Sequence, residues 1–228
     1  MDLSRVALVI GQEKLPVLQQ ARVAVVGLGG VGSYVAEALA RSGVGHLLLI
    51  DADTVASSNV NRQLPALTST IGALKTDVVR QRLLDINPDC EIVTDSRFYE
   101  PGAFDEFFVG NFTYVADAID STASKVDLLK ECAERGLPVI SAMGTGNKLD
   151  PAFLTIADIS KTSMCPLARS VRKHLRSAGI ERGVTVVYSR EPVQRAELGA
   201  VPGSMVFVPA SAGLLMASYI VRQIIAEE

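Results

Sequence analysis

The chain of 228 residues is 48% hydrophobic and 21% charged, with 18 Gly and 10 Pro, which excludes disordered, collagen-like and linker-rich chains and favours a single domain. Its 22 Lys and Arg stand against 25 Asp and Glu, a net charge of −3, so the body as a whole is no coat for nucleic acid. The three Cys, at 90, 132 and 165, make no Cys-x-x-Cys pair, which excludes a disulfide framework and a four-cysteine zinc site.

Residues 1–22 hold no apolar run followed by a small-residue cleavage site; with unpaired thiols, this points to the cytoplasm. An apolar run over 22–27 ends in glycines, a helix follows over 31–41 with Ala36, Leu39 and Ala40 inward, and a second apolar run over 46–51 stops at Asp51. Strand, turn, helix and strand in about 30 residues make a βαβ unit. The alternation continues: a helix over 74–87 ended by Pro88, strands over 90–94 and 114–119, a helix over 121–135 and a strand over 138–143. Continuous apolar strands between amphipathic helices predict a mostly parallel sheet covered on both faces, an α/β, Rossmann-like doubly wound fold.

Beyond Asp150 the pattern changes. Strands are expected over 153–156, 184–188 and 205–208 without a crossover helix for each pair, which predicts an antiparallel C-terminal extension of the same sheet. The chain is therefore read as one domain, 1–228, with a nucleotide-binding core over 1–150 and a substrate-binding, sheet-extending region over 151–228. The stretch 198–221 carries no charge and is long enough to span a bilayer. Pro202, Gly203, Ser204, Pro209, Ser211, Gly213 and Ser218 interrupt it, and only about 12 residues after Pro209 read as a helix. A buried core helix is the plainer account, with no membrane association.

Gly27-Leu28-Gly29-Gly30-Val31-Gly32 sits at the first strand-to-helix turn, where backbone N–H groups and a helix N-terminus can approach phosphate without a Cβ in the way. Asp51, at the end of the next strand, can accept hydrogen bonds from ribose hydroxyls. These features alone specify a nucleotide, with a nicotinamide dinucleotide as the default. Asn59-Val60-Asn61-Arg62-Gln63 and Lys75 then add two cations and three amides. A neutral nicotinamide ring gives such cations no task, whereas a departing pyrophosphate does. Singly, Arg62 and Lys75 would be ordinary surface charges; in this register they are read as phosphate ligands. Asp120, closing the fourth strand, is placed to hold Mg²⁺ against a triphosphate, and its second reading is a cap for the helix beginning near Ser121.

In this order, the glycine turn, Asp51-Ala52-Asp53, Asn59 to Gln63, Lys75 and Asp120 resemble the ubiquitin-activating-like adenylyltransferases, which include the sulfur-carrier activators of thiamine and molybdopterin synthesis. The resemblance covers about residues 5–143 and is far more specific than a glycine motif alone. It implies formation of an acyl-adenylate from a carboxylate and ATP. Gly27, Gly29, Gly30, Gly32, Asp51, Asp53, Asn59, Arg62, Gln63, Lys75 and Asp120 would bind ATP, and Arg62, Lys75 and Asp120 would handle phosphates and Mg²⁺. Arg5 matches an N-terminal Arg that reaches ATP in the partner subunit, which implies a homodimer.

Departures narrow the branch. The zinc-holding cysteine pairs are absent, and Ser121 and Lys125 stand where the family carries Asn and Arg. With Asp158-Ile-Ser-Lys-Thr162 and Pro166-Leu-Ala168, the chain looks like the tRNA threonylcarbamoyladenosine dehydratases. The implied reaction activates the threonylcarbamoyl carboxylate with ATP; the carbamoyl oxygen or nitrogen then closes a five-membered ring with net loss of water. A sulfur-relay or cysteine desulfurase partner stays open. Two rival readings are an activator of a small sulfur-carrier protein and a nicotinamide-dependent oxidoreductase or redox-sensing module.

Residues 161–195 hold eight Lys and Arg against two Glu. In the helix expected over 166–176, Arg169, Arg172, Lys173 and Arg176 share one face and Leu167, Val171 and Leu175 another. With Lys161, this stripe is read as the tRNA contact; DNA is not expected, and the plain alternative is a solvated amphipathic helix. Cys165 reads as the one Cys outside the core, but ring closure needs no thiolate. His46 and His174 read as structural or surface residues.

Overall fold

The computed structural model describes residues 1–192 and 202–226. Arg195 of the basic segment and positions 198–201 of the uncharged stretch lie outside the described residues. Seven strands, β1 (Arg22–Val26), β2 (His46–Ile50), β3 (Glu91–Asp95), β4 (Tyr114–Asp117), β5 (Val139–Ala142), β6 (Leu154–Asp158) and β7 (Thr185–Ser189), form one sheet in the order β3-β2-β1-β4-β5-β7-β6. All pair in parallel except β6, which runs antiparallel to β7 at the sheet edge.

Alternate residues of the central strands feed two cores, as a two-residue period requires. Val23, Val25, Leu47 and Leu49 face helices α3 (Gly32–Arg41), α4 (Lys75–Ile86) and α8 (Phe207–Ile224). Ala24, Val26, Leu48 and Ile50 face α6 (Thr122–Glu134) and α7 (Pro166–Ser177). Leu39, Leu128, Val171 and Met216 are fully buried, and burial of such a side chain is worth about 1.5–3 kcal/mol. Short helices α1 (Ser4–Ile10) and α2 (Leu15–Gln20) precede the sheet. A small aromatic group of Tyr99, Phe107 and Phe108 with α5 (Phe104–Phe107) fills the connection before β4, a segment with no periodic signal of its own.

The parallel half follows the expected order, and the extension differs in two ways. β7 inserts between β5 and β6 and pairs with β5 in parallel: β6 runs back along the sheet after β5, and the connection through α7 leaves and re-enters at the same end, where Asp158 of β6 pairs with Thr185 of β7. The strand expected over 205–208 is not formed: Val206 turns the chain and α8 begins at Phe207. Pro209 sits in the first turn of α8, where a missing N–H costs nothing, so it opens the helix instead of delaying it. α8 is long and apolar enough to cross a membrane. It is nonetheless a core helix, with Val208, Ala212, Met216 and Ile220 fully buried. Gly213 allows this packing, since a Cβ there would stand 2.5 Å from the Val31 carbonyl oxygen and 2.9 Å from the Tyr34 Cβ.

Candidate active site

Strand order reverses between β1 and β4, so the loops leaving these two strands diverge and open a crevice at their carboxyl ends. The glycine turn lines it. Gly27 has φ +90°, and a Cβ there would lie 2.7 Å from the Ala118 carbonyl oxygen. At Gly32 a Cβ would lie 1.8 Å from the Gly27 carbonyl oxygen, so these two glycines are dictated by the turn itself. Gly29 differs: only Gln63 Nε2 comes near its absent Cβ, at 3.6 Å, which leaves the backbone open to a ligand. The N–H groups of Gly29, Gly30 and Val31 donate to no described residue, and α3 starts without a side-chain cap. Unused amides at an uncapped helix start form an anion cradle.

Asp51 lies beside this cradle. Its Oδ2 accepts from Leu28 N at 2.6 Å and its Oδ1 from Asp53 N at 2.8 Å. Burial pushes its carboxyl above the usual value of 3.8, and the neighbouring Lys75 ammonium pulls back against that rise. Lys75 is itself buried, with Nζ donating to Asp53 Oδ2 at 2.6 Å and lying 3.9 Å from Asp51 Oδ1. The surface-charge reading of Lys75 is therefore wrong; the bridge between Thr54 and Leu74 folds the lysine under the two acids. In this state Lys75 neutralises the acids, while Asp53 remains half exposed.

The segment after β2 wraps over the crevice. Asn59 Oδ1 accepts from Ala56 N at 3.0 Å and the Asn59 carbonyl accepts from Arg62 N and Gln63 N, so Asn59 shapes the turn that presents its neighbours. The Arg62 guanidinium donates to Ser58 O at 2.8 Å and Asn61 Oδ1 at 2.9 Å and stays partly exposed. Arg62 also packs against the absent Cβ of Gly30 through its Cγ at 3.5 Å, which puts it at the cradle. Gln63 Oε1 is a buried acceptor with no partner among the described residues. An orphaned acceptor beside an open cradle with unused amides fits a ligand that carries both hydroxyls and phosphates.

Asp120 follows β4, is exposed and accepts no hydrogen bond from the described residues. The capping reading fails, because Ser121 is the N-cap of α6 and makes no side-chain cap bond. Among the described residues no group of three or more His, Cys, Asp or Glu could hold a metal ion. An exposed carboxylate two residues after Ala118, whose carbonyl abuts Gly27, suits Mg²⁺, which retains waters and takes few protein ligands.

Several residues that the sequence reading passed over hold this site together. Ser33 Oγ donates to Gly29 O at 2.6 Å and lies 3.4 Å from Leu64 N, joining the cradle to the Arg62 segment. Asn61 Nδ2 donates to Ser204 O at 2.8 Å, and Asn147 exchanges two hydrogen bonds with Gly203, so residues 202–204 link the loops after β2 and β5. No local pattern announces such contacts.

The remaining candidates are elsewhere. Arg5 sits on α1 near the amino ends of the parallel strands: Leu3 packs beneath Gly43, and the Met1 ammonium pairs with Asp89 at 2.6 Å. It cannot join the crevice of its own chain. β6 stands four strands from β1, about 19 Å at about 4.8 Å per strand, so Lys161 beyond β6 is outside the crevice too. Arg169, Lys173 and Arg176 are exposed and line, with Arg172 and Ser177, an open groove of about 420 Å³. Arg172 differs from its neighbours: its Nη1 donates to Thr162 O at 2.8 Å and to Thr162 Oγ1 at 2.5 Å, fastening α7 to the preceding turn. Cys165 is a correction, since it is buried and its sulfur caps α7 by accepting from Ala168 N at 3.5 Å. Burial pushes the Cys132 thiol up to about 12 and the Cys90 thiol up to about 11, which leaves both unreactive.

With this geometry in view, the ThiF family pattern matches residues 3–228. The chain belongs to the ThiF family. The match reaches past residue 143, where the motif resemblance stops, and takes in the basic helix and α8. This ThiF-family chain is 46% identical over 241 aligned residues to the tRNA threonylcarbamoyladenosine dehydratase of Bacillus subtilis, covering 98% of this chain and 94% of the relative. It is 37% identical over 188 residues to the dehydratase of that name from Escherichia coli, covering 79% and 70%. The E. coli TcdA structure in complex with ATP superposes with a TM-score of 0.93 at 33% identity, covering 99% of this chain and 94% of that one. E. coli MccB, at a TM-score of 0.67 and 18% identity, shares the ThiF-family fold.

Proposed function

We propose that this chain is an ATP-dependent tRNA threonylcarbamoyladenosine dehydratase. The observation that carries the reading is the open glycine cradle with Asp51, Arg62 and Asp120 around it, in a ThiF-family chain similar over nearly its whole length to dehydratases of that name. Complexes of E. coli TcdA with ATP and with AMP support an adenylation route.

A carboxylate oxygen of the threonylcarbamoyl group bonds to the α-phosphorus of ATP as the bond to pyrophosphate breaks. The carbamoyl oxygen or nitrogen then bonds to the activated carbonyl carbon, loses its proton, and AMP leaves with the former carboxylate oxygen. The sum is loss of one water, and no sulfur is consumed, so the reaction requires no sulfur-relay or cysteine desulfurase partner. The amides of Gly29, Gly30 and Val31 and the start of α3 take the phosphates; Asp51 and Asp53 take the ribose; Gln63 supplies an unused acceptor. Arg62 and Lys75 oppose the charge that builds on the departing pyrophosphate, Lys75 exchanging its bond to Asp53 for phosphate. Mg²⁺ on Asp120 would supply further charge neutralisation at the phosphates.

The exposed Arg169, Lys173 and Arg176 form the best surface for the tRNA backbone, and a tRNA substrate places the enzyme in the cytoplasm. A homodimer completes the site in this reading, with the partner subunit's Arg5 entering the crevice. α1 buries none of its residues and exposes Leu8 and Val9 by 82% and 84%, an apolar face suited to a second copy. The test is mass spectrometry of nucleosides from tRNA carrying threonylcarbamoyladenosine, incubated with the protein, ATP and Mg²⁺. A modified nucleoside lighter by one water is expected; an unchanged mass refutes the activity.

A further inference from the structure

Three fully buried polar side chains outside the crevice have no part in the chemistry above: Asp117 at the end of β4, Lys125 in α6 and Ser141 in β5. Lys125 Nζ donates to Asp117 Oδ2 at 2.6 Å and to Ser141 Oγ at 3.1 Å, and Ser141 Oγ donates to Asp117 Oδ2 at 2.5 Å. A serine beside a lysine is a nucleophile–base pair in some hydrolases, but all three side chains have no exposure to solvent, so no substrate reaches the hydroxyl. The remaining oxygen, Asp117 Oδ1, accepts from Ile119 N at 3.0 Å.

The cluster closes a loop. Asp117 and Lys125 are eight residues apart, and the short segment between them carries Asp120. On one side this segment is fixed by Ala118 N donating to Val26 O at 2.8 Å and by the Ala118 carbonyl abutting Gly27. On the other side Lys125 N donates to Ser121 O at 3.0 Å in the first turn of α6. The Lys125–Asp117 pair ties these two ends together away from the solvent surface, where a directed ionic hydrogen bond holds geometry more tightly than an apolar contact does.

We propose that Lys125 is a positioning residue that fixes Asp120 relative to the glycine cradle, and so sets how the site uses the divalent cation. The proposal rests on the reading of Asp120 as the Mg²⁺ ligand. It also gives Lys125, at a position where the resembling family carries Arg, a task away from the phosphates: its ammonium is turned into the core.

Removing Lys125 alone would strand a buried carboxylate and endanger folding. The test is therefore the neutral pair Lys125→Met with Asp117→Asn, which keeps an acceptor for Ile119 N. Calorimetry with a non-hydrolysable ATP analogue, with and without Mg²⁺, gives the gain in affinity that the cation brings. For the pair, affinity without Mg²⁺ is expected to stay within twofold of the parent, while the Mg²⁺-dependent gain shrinks at least fivefold and kcat for ATP–pyrophosphate exchange falls at least tenfold. Asp120→Ala should lose the same gain. If Asp120→Ala loses it and the neutral pair keeps it, the positioning role is wrong. If Asp120→Ala keeps it, the metal reading falls and the proposal falls with it. Should the neutral pair fail to fold, Ser141→Ala removes two hydrogen bonds of the cluster but leaves the Lys125–Asp117 pair; it is expected to cut the gain about threefold, and an undiminished gain overturns the proposal.

Discussion

Asp51 and Lys75 show how a single ion pair couples protonation to ligand capture. In the proposed site Asp51 would accept ribose hydroxyls as a carboxylate, and burial raises its pKa above the ordinary 3.8. Affinity for ATP should therefore fall as pH drops through that raised value. Lys75 is the largest influence holding the rise down. Lys75→Met should move the acid limb of ATP binding to higher pH, as measured by titration calorimetry across pH 4–7; an unmoved limb would mean that Lys75 does not act on Asp51. The sign for stability is the opposite one. A carboxyl with a raised native pKa contributes stability below its unfolded pKa, and that contribution is lost as pH rises through the native one. Asp51 thus burdens the fold at neutral pH, and a nucleotide bound as proposed would offset the burden. The residue types and order of this site were readable from the motif spacing. The tie between Lys75 and Asp53 was not, because it depends on the bridge between Thr54 and Leu74, a contact with no local signature.

Among the elements, α7 separates what a pattern can say from what a fold decides. Its seven-residue spacing of cations predicted one basic face, and the groove of Arg169, Lys173 and Arg176 is there. Arg172 shares the periodicity but its guanidinium turns inward to Thr162, since a neighbouring turn offers a carbonyl and a hydroxyl at the right height. The two kinds of cation should behave differently. Changing Arg169, Lys173 and Arg176 together to Glu should weaken tRNA binding and reduce the slope of log affinity against log salt by about 2–3, with ATP affinity unchanged. Filter binding over a range of salt measures this, and an unchanged slope would remove α7 from the tRNA contact. Arg172→Ala should instead cost about 1.5–3 kcal/mol of stability, read from the urea midpoint, with little change in the slope. α8 is the complementary lesson: Pro209 reads as a boundary in the sequence, yet in the first helical turn it is a starting signal, and the expected strand over 205–208 yields to helix.

At the scale of the molecule, the parallel half of the sheet was legible because βαβ units repeat a simple alternation, and each crossover must return the chain to the same end of the sheet. The insertion of β7 between β5 and β6 was not, since strand neighbours along the sheet are chosen by packing. The far position of Arg5 makes the proposed homodimer testable without a structure of the assembly. An Arg5→Ala protein and a Lys75→Ala protein should each lose most activity, and mixing them after subunit exchange should restore up to about a quarter of it through hybrid sites. No recovery would argue that every site is made from one chain.

α8 carries a consequence for the order in which the protein comes into being. Pro209 Cβ stands 3.3 Å from the position a Gly30 Cβ would occupy, and Gly213 lets the helix lie directly on the start of α3. The floor of the nucleotide crevice, encoded near residue 30, is thus backed by a helix that begins only at Phe207. A ribosome must translate past Ile224 before that backing is complete, so a nascent chain halted ahead of α8 would display the glycine turn without the helix behind it.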